Sequence, residues 1–259
     1  MQQKSLQSKQ GYPIPYCNQI GEHQKIAIIS HGFGSSKNSP MVEALQNTLP
    51  NHGIGTFNFD FPAHGNSPAG FKQLRIPNCV EDLHTVDTFV RQIAPNADVY
   101  YFSSSFGAYI TLLYLAAYPQ KNAKAFLRSA AIDMHSIVQQ WINSSTKWQK
   151  GECNSAIWDY FTPDFPYHRE MKITKAFLSD LEENQPLHIY PIPSAPKLSM
   201  IHGSADTTAP IVDARRFAEQ SLADLHEVSC GEHRLMAQGE MDAVIQQAIS
   251  FFLEDESCK

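Results

Sequence analysis

Cysteine is sparse and scattered: Cys17, Cys79, Cys153, Cys230 and Cys258 are the five in 259 residues, and no pair has metal-ligand spacing. That excludes a cysteine-based metal site and a disulfide scaffold, and it points to free thiols in a reducing compartment. No apolar run approaches the ~18 residues of a membrane span. The first ten residues, Met1 to Gln10, are polar and lack the apolar core of a secretory signal. A cytoplasmic location is therefore expected. Basic runs are missing too. Twenty Lys and Arg stand against 26 Asp and Glu, for a formal net charge of −6. Nothing in that balance suggests a nucleic-acid partner, and mild acidity favours solubility. Repeats and low-complexity stretches are absent.

What is present is a core-forming composition, 42% hydrophobic, at a length suited to one large domain spanning residues 1–259. Short apolar or β-branched runs alternate with helix-like ones. Strands are expected at Lys25 to Ser30, Gly55 to Phe61, Asp98 to Ser104, Ala125 to Ala131, Leu198 to His202 and His226 to Ser229. Helices are expected at Met41 to Leu49, Val80 to Ile93, Phe106 to Tyr118, Ile211 to Leu222 and Glu240 to Leu253. This alternation implies βαβ units, a mostly parallel sheet flanked by helices, and an α/β fold. In such sheets ligands bind at the carboxyl ends of the strands. The expected helix Phe106 to Tyr118 is apolar nearly all round, so it is a buried central helix.

One region breaks the rhythm. About residues 132–190 separate the fourth and fifth strands, and they hold all three tryptophans, Trp141, Trp148 and Trp158, with Tyr160, Phe161, Phe165 and Tyr167. Met171 to Glu183 reads as an amphipathic helix. An insertion of this length at a strand end is expected to form a lid.

The segment Ser103-Ser104-Ser105-Phe106-Gly107 joins an expected strand to the apolar helix. A nucleophile elbow of the form G-x-S-x-G needs small residues two places either side of its serine, because the turn is sterically tight. Ser105 leaves Gly107 downstream and Ser103 in place of the upstream glycine. Choosing Ser104 would put Phe106 in the crowded position, and choosing Ser103 would put the turn inside the strand. Ser105 is the candidate nucleophile, and the Phe106 N–H opening the helix is a candidate oxyanion donor. His31-Gly32-Phe33-Gly34, after the first strong strand, supplies the second expected donor, the Phe33 N–H.

A serine nucleophile needs a base, and the base an orienting carboxylate, in the chain order Ser, acid, His. Asp206 follows the strand Leu198 to His202, and His233 follows the last strand. The expected set is Ser105, Asp206 and His233, with Asp133 as an alternative acid. His202 is expected to shape its loop, and Asp60 and His64 to hold neighbouring loops. No metal or cofactor is expected. Oligomeric state is not encoded in any feature above.

Four segments in order, HGFGSS, DFPAHGNS, SSSFGAY with HGSADTTAP, and GEHRLM, resemble the α/β-hydrolase superfamily. HGFGSSKNSP resembles the bacterial cinnamoyl (feruloyl) esterases. SSSFGAY, PIPSAPKLSMIHGSAD and EHRLM look more like small esterases and thioesterases related to mitochondrial depalmitoylases. Ser103 and Ala108 depart from the usual glycines. The resemblance implies an α/β-hydrolase fold and a Ser105-Asp206-His233 triad with oxyanion donors at Phe33 and Phe106. The implied activity is a serine esterase on a small-molecule ester with an apolar or aromatic acyl part. A thioesterase uses the same residues. A peptidase would need a carboxylate for the substrate amino terminus, and Glu182 and Glu183 lie on an expected solvated face.

Overall fold

The computed structural model describes residues 4–119, 123–144, 156–158, 171–190 and 196–254. An eight-stranded sheet runs in the order β1-β2-β4-β3-β5-β6-β9-β10. Its strands are β1 Lys4–Gln7, β2 Pro13–Gln19, β3 Lys25–Ser30, β4 Ile54–Phe59, β5 Asp98–Ser104, β6 Lys124–Arg128, β9 Lys197–Gly203 and β10 Asp224–Val228. From β4 to β10 every pairing is parallel. β1 and β2 add antiparallel strands at one edge. The mostly parallel sheet and its flanking helices are the α/β-hydrolase architecture that the motifs implied. The β1–β2 pair is additional: the sequence offered no strand before Lys25, and Pro13 and Pro15 interrupt the alternation there.

Helix α1 spans Pro40–Thr48, α2 Ile76–Ile93, α3 Phe106–Ala117, α4 Met134–Ser144, α5 Lys175–Glu183, α6 Pro186–Ile189, α7 Ile211–Ser221 and α8 Glu240–Leu253. Buried side chains fall on both faces of the sheet, one cluster under α2, α3 and α7 and the other under α1 and α8. The apolar helix α3 is buried continuously from Phe106 to Leu115, as its all-round hydrophobicity requires. On the other face, Lys124 points its ammonium at the Phe251 and Phe252 carbonyls in the last turn of α8, at 3.1 and 3.4 Å. A cation at a helix C-terminus satisfies carbonyls that have no partner within the helix.

The insertion is partly described. Met171–Ile173 is a strand, β8, paired antiparallel with β7 Ala156–Trp158, so the expected helix Met171 to Glu183 starts only at Lys175. Thr174 sets that start: its Oγ1 accepts the Phe177 N–H at 3.1 Å, an N-cap bond. Helix α5 is fastened to the body. Arg75 donates from Nε and Nη2 to the Asp180 carboxylate at 2.5 and 2.6 Å, and the Ile76 N–H at the start of α2 donates to it at 3.1 Å. Tyr109 of α3 donates to the Asn184 carbonyl at 2.6 Å. Trp148, Tyr160, Phe161, Phe165 and Tyr167 lie outside the described residues. Among the described residues no helix is long and apolar enough to cross a membrane.

Candidate active site

Ser105 sits between β5 and α3 with φ 51° and ψ −112°, a left-handed backbone that a residue with a Cβ adopts at a cost of ~1–3 kcal/mol. Its neighbours hold it there. The Ser105 N–H donates to the Arg128 carbonyl at 2.9 Å, and the Tyr109 N–H donates to the Ser105 carbonyl at 3.1 Å. Gly107 is required by contact: a Cβ there would lie 2.5 Å from the Ser30 carbonyl oxygen and 2.6 Å from that of His31. Ser103, standing where glycine is usual, is fully buried, and its hydroxyl lies 2.7 Å from Thr111 Oγ1 on α3. A polar contact therefore accommodates the extra atoms.

The structure brings Ser105, His233 and Asp206 together. His233 Nε2 lies 3.0 Å from Ser105 Oγ, and its Nδ1–H donates to Asp206 Oδ2 at 2.7 Å. The Thr208 and Ala209 N–H groups both donate to Asp206 Oδ1 at 2.9 Å. Burial works against the Asp206 anion, but these bonds and the two histidines prevail and hold its pKa well below the usual carboxylate range. Burial lowers the His233 pKa, and Asp206 offsets only part of that. The imidazole is accordingly neutral near pH 7, as a base must be.

The competitors are engaged elsewhere. Asp133 accepts the Ser136 N–H and O–H at 2.9 and 2.7 Å in the first turn of α4. His226 lies within β10. His202 does shape its loop, with Nε2 2.8 Å from the Ala209 carbonyl. It also comes within 3.1 Å of Asp206 Oδ2, a support for the acid that the sequence did not reveal.

Phe33 and Phe106 flank Ser105. Phe106 is the first residue of α3, so its N–H has no acceptor within the helix. The Phe33 loop approaches so closely that a Cβ on Gly32 would sit 3.5 Å from Ser105 Cβ. Two buried anchors hold this loop. The Phe61 N–H donates to His31 Nε2 at 3.3 Å, His31 Nδ1 lies 2.8 Å from the Gly32 carbonyl, and burial keeps the ring neutral by lowering its pKa. Lys37, 3% exposed, donates from Nζ to Asp60 Oδ2 at 2.8 Å and to Asn66 Oδ1 at 2.7 Å. The Lys37 and Asn66 N–H groups also bond Asp60, at 2.8 and 2.9 Å. Asp60 thus holds neighbouring loops together, while Lys37 went unnoticed because nothing in HGFGSSKNSP marks a buried cation. His64 is packed against Phe106, its ring stacked at 5.8 Å.

A cavity of about 130 Å³ opens on Ser105 and His233. Met41, Val42, Phe33, Trp141, Met171 and Met236 form much of its apolar wall, and Arg128 and Arg234 also line it. Trp141 and Phe177, both from the insertion, pack on Phe33 at 5.7 and 5.8 Å between centroids. Arg128 was missed, although its place at the carboxyl end of a central strand was a signal. Among the described residues no cluster of His, Cys, Asp and Glu could hold a metal ion.

A family model described as serine aminopeptidase, S33, matches residues 21–248. No curated protein sequence matches the chain. A putative hydrolase from Agrobacterium vitis S4 shares the fold with a TM-score of 0.79 at 20% identity, over 98% of this chain and 99% of that one. Est1E from Butyrivibrio proteoclasticus, solved with ferulic acid bound, gives 0.77 at 16% identity, over 97% and 100%. Alpha/beta hydrolase domain-containing protein 10 from mouse gives 0.73 at 18% identity, over 96% and 97%. At such identities the likeness is one of fold.

Proposed function

The chain belongs to the α/β-hydrolase family described as serine aminopeptidase, S33, and on that premise we propose that it hydrolyses carboxylic esters through an acyl-enzyme on Ser105. The observation that carries this reading is the unbroken path from Ser105 Oγ through His233 to Asp206, at 3.0 and 2.7 Å, on a serine held at positive φ. His233 takes the Ser105 proton as Oγ attacks the carbonyl carbon. The oxyanion rests on the Phe33 and Phe106 N–H groups. Asp206 fixes the tautomer and stabilises the imidazolium. His233 then protonates the leaving alcohol, and a water activated by the same imidazole frees the acid. The wall of Met41, Val42, Phe33 and Trp141 suits a small apolar or aromatic acyl part. In this reading the chain is one domain, with the insertion at about residues 132–190 acting as its lid.

Aminopeptidase activity is disfavoured by charge. A substrate ammonium needs a carboxylate, and the described residues lining the cavity include none. Glu182 and Glu183 are exposed on α5. The test is labelling with a fluorophosphonate, mapping of the adduct, and turnover of p-nitrophenyl esters beside aminoacyl p-nitroanilides. An adduct on Ser105, lost in Ser105→Ala, with ester but not anilide turnover, is expected. An adduct on another serine would remove the assignment.

A further inference from the structure

His202 has no step in the reaction above, yet it touches the acid. Its side chain is fully buried, and it sits near the end of β9, a strand paired on both sides, with β6 and with β10. Its Nε2 lies 2.8 Å from the Ala209 carbonyl oxygen and 3.1 Å from Asp206 Oδ2. A carbonyl oxygen and an ionised carboxylate oxygen can only accept, so at these distances the proton is on Nε2. The other nitrogen, Nδ1, is buried with no hydrogen-bond partner among the described residues. The tautomer follows from the contacts, with Nε2–H towards the acid and Nδ1 bare.

The oxygen that His202 faces is the one that orients the base. Asp206 Oδ2 accepts the His233 Nδ1–H at 2.7 Å, while Oδ1 is taken by the Thr208 and Ala209 N–H groups. Ala209 thus meets the carboxylate through its N–H and His202 through its carbonyl, which closes a ring of contacts around Asp206. Holding the loop alone would need only the Ala209 contact. The approach to Oδ2 does more. It ties a carboxylate carried on a loop to the sheet, and it shares Oδ2 between two imidazoles. A donor that stabilises the anion weakens the pull of that anion on a neighbouring cation. The influences on His233 agree in sign: burial lowers its pKa, Asp206 raises it, and Arg128 and His202 lower it.

We propose that His202 is a positioning residue of the triad, which from β9 fixes the Asp206 carboxylate against His233 through Nε2–H and limits how strongly that carboxylate holds the imidazolium. The inference rests on the esterase reading of Ser105 and adds a side chain to its machinery. His202 acts through Asp206, not on the reacting atoms.

His202→Phe removes the donor and keeps a ring, whereas His202→Gln carries an amide N–H about as far as Nε2. On p-nitrophenyl butyrate, kcat of His202→Phe is expected to fall about tenfold or more, the worth of a hydrogen bond to a charged group, with KM changed by less than about twofold. The acid limb of kcat/KM should move to higher pH than in the wild type, because Oδ2 relieved of His202 holds the imidazolium more tightly. His202→Gln should restore part of kcat and return the limb towards its wild-type place. A side chain that only props the loop would change Tm and leave the limb where it was. Should His202→Phe fail to fold, His202→Asn, whose shorter amide stops short of Asp206, is measured in its place. In the wild type, 15N spectra of the histidines near pH 8 should show His202 protonated at Nε2 and bare at Nδ1. An unmoved limb in the folded Phe or Asn variant, a loss carried by KM alone, or a His202 proton on Nδ1 overturns the proposal. Failure of wild-type Ser105 to take the fluorophosphonate instead overturns the esterase reading beneath it.

Discussion

Gly107→Ala is the smallest change that tests how the elbow is built. The added Cβ would stand 2.5 Å from the Ser30 carbonyl oxygen, 2.6 Å from that of His31 and 2.8 Å from the Ser30 carbonyl carbon. Ordinary contacts between such atoms lie near 3.5 Å, so something must move by about 1 Å. All three contacts are backbone, so no rotamer relieves them. Ser30 closes β3, which is paired on both sides, with β4 and with β5. The strand is the stiffer partner, and the loop of His31 to Phe33 or the start of α3 must give way. Both carry proposed oxyanion donors.

Overpacking of this kind costs about 1–3 kcal/mol. For a chain of this size that lowers Tm by roughly 3–10 °C. Displacing an oxyanion donor by about 1 Å costs on the order of 100-fold in rate. Tm by calorimetry and kcat/KM on a p-nitrophenyl ester read the two effects separately. Gly70→Ala is the control, since the nearest atom to its Cβ is the flexible Gln73 Oε1 at 3.5 Å, and it should change neither. A Gly107→Ala enzyme with wild-type Tm and kcat/KM would refute the account of the elbow.

Three other outcomes follow from buried charge. The acid limb of kcat/KM should have its midpoint below pH 6.5, because burial lowers the His233 pKa more than Asp206 restores it and the base is active when neutral; a midpoint above 6.5 in a pH–rate profile would contradict this. Lys37→Met removes one partner of the buried Lys37–Asp60 pair and leaves the carboxylate facing the loop, so stability should fall by about 3–5 kcal/mol in urea unfolding. Burial raises the Asp82 pKa to about 7 against an ordinary 3.8, with Tyr12 donating to it at 2.8 Å. Its folded pKa lies above its unfolded one, so its protonated form stabilises the fold and that stability drains as pH rises from 4 to 7. Asp82→Asn, which keeps an acceptor for Tyr12, should raise Tm at pH 8 and change it little at pH 5.

The parallel strands were legible because most are short apolar runs, and β3, β4, β5 and β9 each lead into a glycine-bearing loop or turn. Boundaries slipped where pairing decides them. β10 begins at Asp224, not His226, because Asp224 to Val228 register against Ser199 to Gly203. β1 and β2 escaped because β1 pairs with β2, and β2 is joined to the sheet only through β4, some forty residues on, which no local period announces. The strand β8 hid inside an apparent helix until Thr174 capped α5. At the site, the meeting of Ser105, Asp206 and His233 was expected from order and spacing, and so was the loop-shaping of His202, whereas the contact of His202 with Asp206 and the burial of Lys37 and Arg128 were not. Their roles come from which loops meet, and that is a tertiary fact.

How those loops meet explains the precision of the site. Ser105, Asp206 and His233 come from three loops separated by up to 128 residues, and loops are ordinarily the least rigid parts of a fold. Here they are bonded to one another by backbone. Ser204 N–H donates to the Val228 carbonyl and Ala205 N–H to the Gly231 carbonyl, both at 2.9 Å, and Cys230 N–H donates to Ser204 Oγ at 2.9 Å. Gly203 permits this contact: a Cβ there would fall 2.1 Å from the Gly231 oxygen. The Asp206 and His233 loops are thus one hydrogen-bonded unit, while the Ser105 turn packs closely on the His31 loop at Gly107. The 2.7 and 3.0 Å contacts at His233 join two preassembled halves. A side-chain substitution at the rim should then alter what the cavity accepts without separating the acid from the base.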